Sequence, residues 1–124
     1  MENALGDAIL TCATRVHRAL GPGLLESVYE KCLALELEDS GIAFRRQLWL
    51  PVIFAGRTIE DAYRIDFLID DHVVIEVKAV ERLTDVHRAQ LLSYLRLGGY
   101  RLGYLLNFNT ALLKQGICRM VNGL

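Results

Sequence analysis

Tyr63-Arg64-Ile65-Asp66-Phe67-Leu68-Ile69-Asp70-Asp71-His72-Val73-Val74-Ile75-Glu76-Val77-Lys78-Ala79 is the stretch that decides the fold. Two apolar runs flank a short polar segment, which predicts a β-hairpin with strands from about Thr58 to Ile69 and from about Val73 to Val80. Side chains alternate along a strand, so we expect Asp66 to share its face with Arg64 and Leu68. Charged side chains on strands this apolar require a partner or a function.

The length of the turn decides whether Asp66 meets Glu76. A two-residue loop, Asp70-Asp71, would put the two acids on opposite faces of the sheet. A three-residue loop, Asp70-Asp71-His72, pairs Ile69 with Val73 and Asp66 with Glu76, whose Cβ atoms would then lie roughly 5 Å apart. Two carboxylates that close repel each other unless a cation lies between them. We therefore predict a three-residue loop, or a bulge, that brings Asp66 and Glu76 to one face as metal ligands.

Composition describes one domain over residues 1–124. The chain has 14 basic and 15 acidic residues, for a net charge of −1, and 52% of it is hydrophobic. A chain of this size can build a core without disulfides or a structural metal. The charge argues against a protein that coats itself in nucleic acid, but it leaves room for a local basic rim. The hydrophobic fraction favours a homo-oligomer such as a homodimer, although buried parallel strands would raise it equally.

The cysteines and histidines suggest no disulfide or zinc site. Cys12, Cys32 and Cys118 are isolated among apolar residues, which is typical of small core residues in a reducing compartment. The three histidines show no ligand spacing. No apolar run approaches the roughly 20 residues that span a bilayer, and no signal pattern opens the chain. We expect a cytoplasmic protein with no membrane partner.

Hydrophobic periodicity predicts the order α-α-β-β-β-α-β-β, a mixed central sheet flanked by helices. Pro51 should place the first strand at an edge of the sheet or give it a bulge. A helix from about Leu24 to Asp39 should bury one stripe, formed by Leu25, Val28, Tyr29, Cys32, Leu33 and Leu37. The other predicted elements are a helix over Leu5–Leu20 ended by Gly21-Pro22-Gly23, the strand Phe44–Phe54, a helix from about Asp85 to Leu97 capped by Thr84, a central strand over Tyr100–Phe108 and a last strand over Ile117–Val121.

Two helices carry polar residues that could have a function. Glu26 lies in the first turn of its helix, where the dipole favours a carboxylate, and Glu30 follows one turn later. Ordinary helix electrostatics is our interpretation of Glu30. Gln90 and Tyr94 have i, i+4 spacing, with His87 one turn earlier. Such a polar trio is usually a solvated face.

Several motifs in order resemble a known family. Asp66, then Glu76-Val77-Lys78 ten residues later, then Gln90-x-x-x-Tyr94 on a following helix resembles the PD-(D/E)XK nuclease superfamily, in particular its RecB-like branch with a Gln-x-x-x-Tyr motif. Gly23-Leu24-Leu25-Glu26-Ser27-Val28-Tyr29 is similar to the signature of the small GxxExxY family, which is assigned to that superfamily. That family's C-terminal pattern is also present, as Gly103, Leu106-Asn107-Phe108 and Gly116-Ile117-x-Arg119. Ile65 stands where the superfamily has its proline. The resemblance extends from Leu5 onward and implies a restriction-endonuclease-like α/β core.

The resemblance also implies a role for each matching residue. Asp66 and Glu76 would bind Mg²⁺ or Mn²⁺ with the backbone carbonyl of Val77, and Glu26 would be an additional ligand, directly or through a water. The metal would lower the pKa of a water and stabilise charge on the scissile phosphate. Lys78 would orient or help deprotonate that water. Gln90 and Tyr94 would contact the nucleic acid or position Lys78, and Arg64 would contact a phosphate or pair with Glu76.

Each of these residues also has an ordinary interpretation. Glu76 and Lys78 share one face of their strand and could form an exposed ion pair of little consequence. Asp66 could pair with Arg64 or with a turn amide. Their joint arrangement favours a metal-dependent nuclease that cleaves DNA or RNA. The alternative is a catalytically inactive nuclease-fold module that binds nucleic acid or another protein, and the near-neutral charge and the lack of a further DNA-binding domain favour it.

Overall fold

The computed structural model describes residues 1–124 and contains every predicted element. The bounds differ from the predicted ones by a few residues at the ends. A short 3-10 helix, Leu113–Gly116, was not predicted. The helices are α1 (Glu2–Leu20), α2 (Glu26–Asp39) and α3 (Asp85–Gly98), and the strands are β1 (Phe44–Phe54), β2 (Arg57–Ile69), β3 (Val73–Lys78), β4 (Leu102–Asn107) and β5 (Ile117–Val121).

The five strands form one mixed sheet in the order β1-β2-β3-β4-β5. Strands β3 and β4 are parallel, and the other neighbours are antiparallel. Strand β1 is an edge strand whose register against β2 shifts between Leu50 and Val52, around Pro51, because proline has no N–H to give to the ladder. Both predicted consequences of Pro51 are therefore confirmed. Strand β4 is an interior strand, between β3 and β5, and is buried along its whole length, as its apolar sequence predicted.

Helices cover both faces of the sheet. Ile75 and Val77 of β3 pack in the larger core cluster with α1 and α2, whereas Val74 packs with Leu91 and Leu95 of α3 on the other face. Coverage of both faces explains why β3 and β4 are nearly continuous apolar runs. None of the three helices is both long and apolar enough to cross a membrane.

Helix α2 buries a narrower stripe than predicted. Tyr29, Leu33 and Leu37 are fully buried at helical spacing. Leu25, predicted to be buried, is 74% exposed, because the helix begins only at Glu26 and Leu25 precedes it in an extended conformation.

The turn between β2 and β3 has the predicted length. It contains Asp70-Asp71-His72, and Ile69 pairs with Val73. Two expectations about Asp66 are wrong, however. Backbone pairing ends at Phe67 and Ile75, so Asp66 does not pair directly with Glu76.

Asp66 also cannot share a face with both Arg64 and Leu68. Ile65 and Leu68 pack in the same cluster beside α3 although they are three residues apart, while Phe67 packs toward α1 and α2. The alternation of side chains therefore breaks at Asp66, and Arg64, next to Ile65, lies on the face opposite Leu68.

Candidate active site

Tyr29 fixes the start of α2 and, with it, Glu26. The Tyr29 ring is fully buried, and its hydroxyl donates to the Gly21 carbonyl at 2.6 Å and accepts from the Leu24 N–H at 3.0 Å. These bonds tie the connection between α1 and α2 to the core. Glu26 is the first residue of α2, and its exposed side chain lines a groove that also contains Asp66.

Asp66 and Glu76 lie where β2 and β3 separate. Their carboxylates take the place of the missing ladder bonds: the Asp66 N–H donates to Glu76 Oε2 at 2.7 Å, and the Val77 N–H donates to Asp66 Oδ2 at 2.8 Å. Each carboxylate is thus held by a backbone N–H of the neighbouring strand. Glu76 is 4% exposed, so it is not part of a surface ion pair.

Burial and mutual repulsion control the ionisation of this pair. The pKa of Glu76 is raised to about 8, first by burial and then by the charge of Asp66. The pKa of Asp66 is also raised, mainly by burial and further by the charges of Glu30 and Glu26, against the opposing effects of the Val77 N–H and Lys78. Because the pKa of Glu76 is about 8, this carboxyl group holds a proton near neutral pH.

Lys78 stands beside the pair at the end of β3. Its charge lowers the pKa of both Asp66 and Glu76, although it forms no ion pair with either. The chain that follows is fixed by buried Asn107, which accepts from the Val80 N–H at 3.1 Å and donates to the Val80 carbonyl at 2.9 Å. Asn107 therefore positions the strand end that carries Lys78.

Two residues that sequence reasoning did not assign to the site also belong to it. The side-chain amide of Gln47 in β1 donates to Glu30 and, at 3.4 Å, to Asp66 Oδ1. Arg46 binds the other Glu30 oxygen at 2.9 Å. Gln47 has a φ of +49°, and its Oε1 is buried without a hydrogen-bond partner. Glu30 was interpreted as an ordinary helix residue, and Gln47 gave no signal, because a polar residue in an edge strand normally faces solvent.

Helix α3 brings one of its two predicted residues to the site. The pKa of Tyr94 is raised by burial and then by the charges of Glu76 and Asp66, which places its hydroxyl in their field. The Tyr94 ring stacks on Tyr63 of β2, with centroids 4.8 Å apart. Gln90 lies one turn earlier, is exposed, and makes no side-chain hydrogen bond.

Arg64 lies on the other side of the pair. It forms no ion pair, so the proposed bridge to Glu76 is not present, and its guanidinium lies over the ring of Trp49, 5.3 Å from the centroid. With Asp66 it lines a groove of about 260 Å³, called here the acidic groove, whose walls are Glu26, Ser27, Glu30, Gln47, Arg64 and Asp66.

The structure thus gathers most of the predicted site residues. Asp66, Glu76 and Lys78 meet at the separation of β2 and β3, with Tyr94 nearby, and Glu26 and Arg64 border Asp66 in the acidic groove. No group of three His, Cys, Asp or Glu side chains is arranged to hold a metal ion. A complete metal shell would therefore need backbone, amide or water oxygens as well.

Comparison with curated proteins and with solved structures finds no match to this chain. A family model described as the PD-(D/E)XK nuclease superfamily matches residues 3–120. Proteins of this superfamily are nucleases that act on nucleic acid and generally depend on divalent metal ions. The three helices and five-stranded mixed sheet agree with the restriction-endonuclease-like fold predicted from the sequence, whereas the narrower GxxExxY assignment stays a prediction. With all but the ends of the chain matched, this protein belongs to the PD-(D/E)XK nuclease superfamily.

Proposed function

We propose that this protein is a Mg²⁺- or Mn²⁺-dependent nuclease that hydrolyses phosphodiester bonds of DNA or RNA. The observation that carries the proposal is the pair of buried Glu76 and half-buried Asp66, held between two strands beside Lys78. Burying two carboxylates together is unfavourable unless a proton or a cation neutralises them. A site that keeps such a pair is suited to a divalent cation.

The donors fit a hard divalent cation. Asp66 and Glu76 supply carboxylate oxygens, the Val77 carbonyl is the adjacent backbone oxygen, and Glu26 borders the acidic groove. Gln47 adds a buried oxygen that has no other partner. An all-oxygen set of this kind suits Mg²⁺ or Mn²⁺ rather than zinc. When bound, the cation would lower the pKa of a water and stabilise charge developing on the scissile phosphate.

The remaining residues would act on the substrate. Lys78 would orient the attacking water and, as an ammonium group, offset the negative charge of the phosphate. Arg64 has no carboxylate partner in the structure, so its guanidinium is free to bind a phosphate. Tyr94 would hold the nucleic-acid backbone near the carboxylates or position Lys78, and Gln90 would extend that contact along the exposed face of α3.

The test is cleavage of end-labelled single-stranded DNA, duplex DNA and RNA with Mg²⁺ or Mn²⁺. We expect cutting by the intact protein that is lost in Lys78→Ala and kept in the matched control Lys114→Ala, because Lys114 is exposed and forms no ion pair. Removing one charge that acts in the transition state should lower the rate by a factor on the order of 100 or more. Cutting that survives in Lys78→Ala would contradict the assignment.

A second candidate function is favoured by two observations. Backbone N–H groups already hold the Asp66 and Glu76 carboxylates, and no three acidic, histidine or cysteine side chains form a ready metal shell. This arrangement suits a catalytically inactive nuclease fold that binds nucleic acid or another protein. Binding of nucleic acid with no cleavage in the presence of either Mg²⁺ or Mn²⁺ would support this candidate.

The cytoplasmic location, the homodimer and the GxxExxY assignment also remain proposals. Sedimentation of the purified protein over a range of concentrations tests the homodimer. A monomer at every concentration would exclude it.

A further inference from the structure

The hairpin of β1 and β2 leaves Trp49 and Arg64 exposed on one of its faces. Strand β3 pairs only with residues 67–69 of β2, so the hairpin beyond this point is held by its own two strands and by packing on one side. On that side Leu48, Leu50 and Val52 pack against the cluster beside α3. Side chains alternate along a strand, so Trp49 and its register partner Arg64 point away from that cluster.

Trp49 has the largest apolar side chain of the protein, and its exposure is therefore unusual. It is 51% exposed, although a buried indole stabilises a fold strongly. The Arg64 guanidinium lies over its ring, 5.3 Å from the centroid, and Arg64 forms no ion pair. A cation over one face of an aromatic ring holds the ring in place and leaves the other face free to stack.

The Trp49–Arg64 pair is continuous with the acidic groove. Arg64 lines that groove together with Asp66. Arg64 and Asp66 are two residues apart in β2, and their Cα atoms therefore lie roughly 7 Å apart along the strand. A nucleic-acid strand whose scissile phosphate lies at Asp66 would therefore pass Arg64 and then Trp49.

We propose that Trp49 is a stacking platform for an unpaired base next to the scissile phosphate, and that Arg64 binds the phosphate between that base and the cleavage site. This inference rests on the proposed nuclease function and narrows its substrate to nucleic acid with a single-stranded segment. In a duplex both faces of each internal base are already stacked, so an indole can accept only an unpaired or terminal base. A second copy of the chain is the alternative occupant that the experiment must exclude.

The chain offers a direct probe, since Trp49 is its only tryptophan. Intrinsic fluorescence is titrated in EDTA with oligodeoxythymidylate of about 12 nucleotides and with a blunt duplex of the same length. We expect saturable quenching by the single strand and much weaker quenching by the duplex, which offers only its two terminal base pairs for stacking. Because EDTA prevents metal-dependent cleavage, this binding result is independent of whether the protein is a nuclease.

Variants identify the contact by anisotropy of a labelled oligodeoxythymidylate. Trp49→Leu should bind roughly 5- to 150-fold more weakly, the range measured for loss of one stacked base. Trp49→Phe keeps an aromatic ring and should recover most of the affinity, which separates stacking from a folding defect. The control Phe54→Leu changes an exposed aromatic residue at the hairpin tip and should bind like the intact protein.

Three results would overturn the inference. One is binding of the labelled strand with no change in Trp49 emission. Another is equal affinity of Trp49→Leu and the intact protein. The third is a Trp49 emission that depends on protein concentration without nucleic acid, which would show that a second copy covers the face. If the protein cuts nucleic acid but shows any of these, the nuclease proposal stands and only the stacking role fails.

Discussion

Replacing Glu76 by glutamine should stabilise the metal-free protein at neutral pH, although it removes a proposed metal ligand. Glutamine keeps the oxygen that accepts from the Asp66 N–H but cannot ionise beside Asp66. The pKa of Glu76 is about 8 in the folded protein, against 4.5 for the free side chain. The folded state therefore binds more protons than the unfolded state within this window, and stability falls as the pH rises through it.

The size of the stability difference follows from the one proton that folded Glu76 retains and unfolded Glu76 loses. A difference of one bound proton changes the free energy of unfolding by about 1.4 kcal/mol per pH unit. From pH 4.5 to pH 7 the loss in the wild-type protein is thus on the order of 3 kcal/mol, and Glu76→Gln should escape it. Below about pH 4.5 the two proteins should have similar stability, and above about pH 8 their difference should stop growing.

The assay is urea unfolding in EDTA between about pH 5 and pH 8, with the difference between variant and wild type plotted against pH. Groups remote from Glu76 titrate alike in both proteins, so they cancel in this difference. Glu38→Gln is the matched control, because Glu38 is an exposed residue of the same chain that forms no ion pair. A difference for Glu76→Gln that is flat with pH, or no larger than that of Glu38→Gln, would refute the reasoning.

Three further substitutions test the residues that support the site. Gln47→Leu removes the side-chain amide that donates hydrogen bonds to Glu30 and Asp66. We expect the free energy of unfolding in urea at neutral pH to fall by about 1–3 kcal/mol, and an unchanged value would contradict the role of Gln47. Asn107→Ala breaks both bonds to Val80, so we expect kcat for cleavage to fall at least about tenfold with little change in KM, whereas an unchanged kcat would show that Lys78 needs no such support. Gly116→Ala would place a Cβ in steric clash with the Asn107 carbonyl oxygen and should destabilise the fold by about 1–3 kcal/mol, measured by urea unfolding, and wild-type stability would show that this contact relaxes freely.

The sequence predicted the parts of the site that depend on local pattern. A polar break of three residues between two apolar runs was enough to place Ile69 opposite Val73. Pro51 predicted the edge strand, and Thr84 predicted the start of α3, where its side chain accepts from the His87 N–H. Each of these features follows from the backbone requirements of a few neighbouring residues.

The parts that were missed depend on contacts between distant segments. Nothing in the sequence shows that Gln47 adopts a positive φ and reaches Glu30, 17 residues earlier in the chain. The loss of direct pairing at Asp66 has the same origin, because the side chains of Asp66 and Glu76 replace backbone bonds that a regular hairpin would form. The prediction that Arg64 and Leu68 share one face assumed regular alternation along an unbroken ladder, and it was wrong because the ladder ends beside Asp66.

Calorimetric titration with Mn²⁺ near pH 7, in two buffers that differ in ionisation enthalpy, tests the central claim most directly. The account predicts one site, abolished in Asp66→Ala and in Glu76→Ala and retained in Lys78→Ala. It also predicts release of about one proton on binding, because the pKa of Glu76 is about 8 and Mn²⁺ displaces the proton that this carboxyl group holds near pH 7. Absence of binding in the intact protein, or binding that persists in both alanine variants of the pair, would contradict a metal-dependent active site at Asp66 and Glu76.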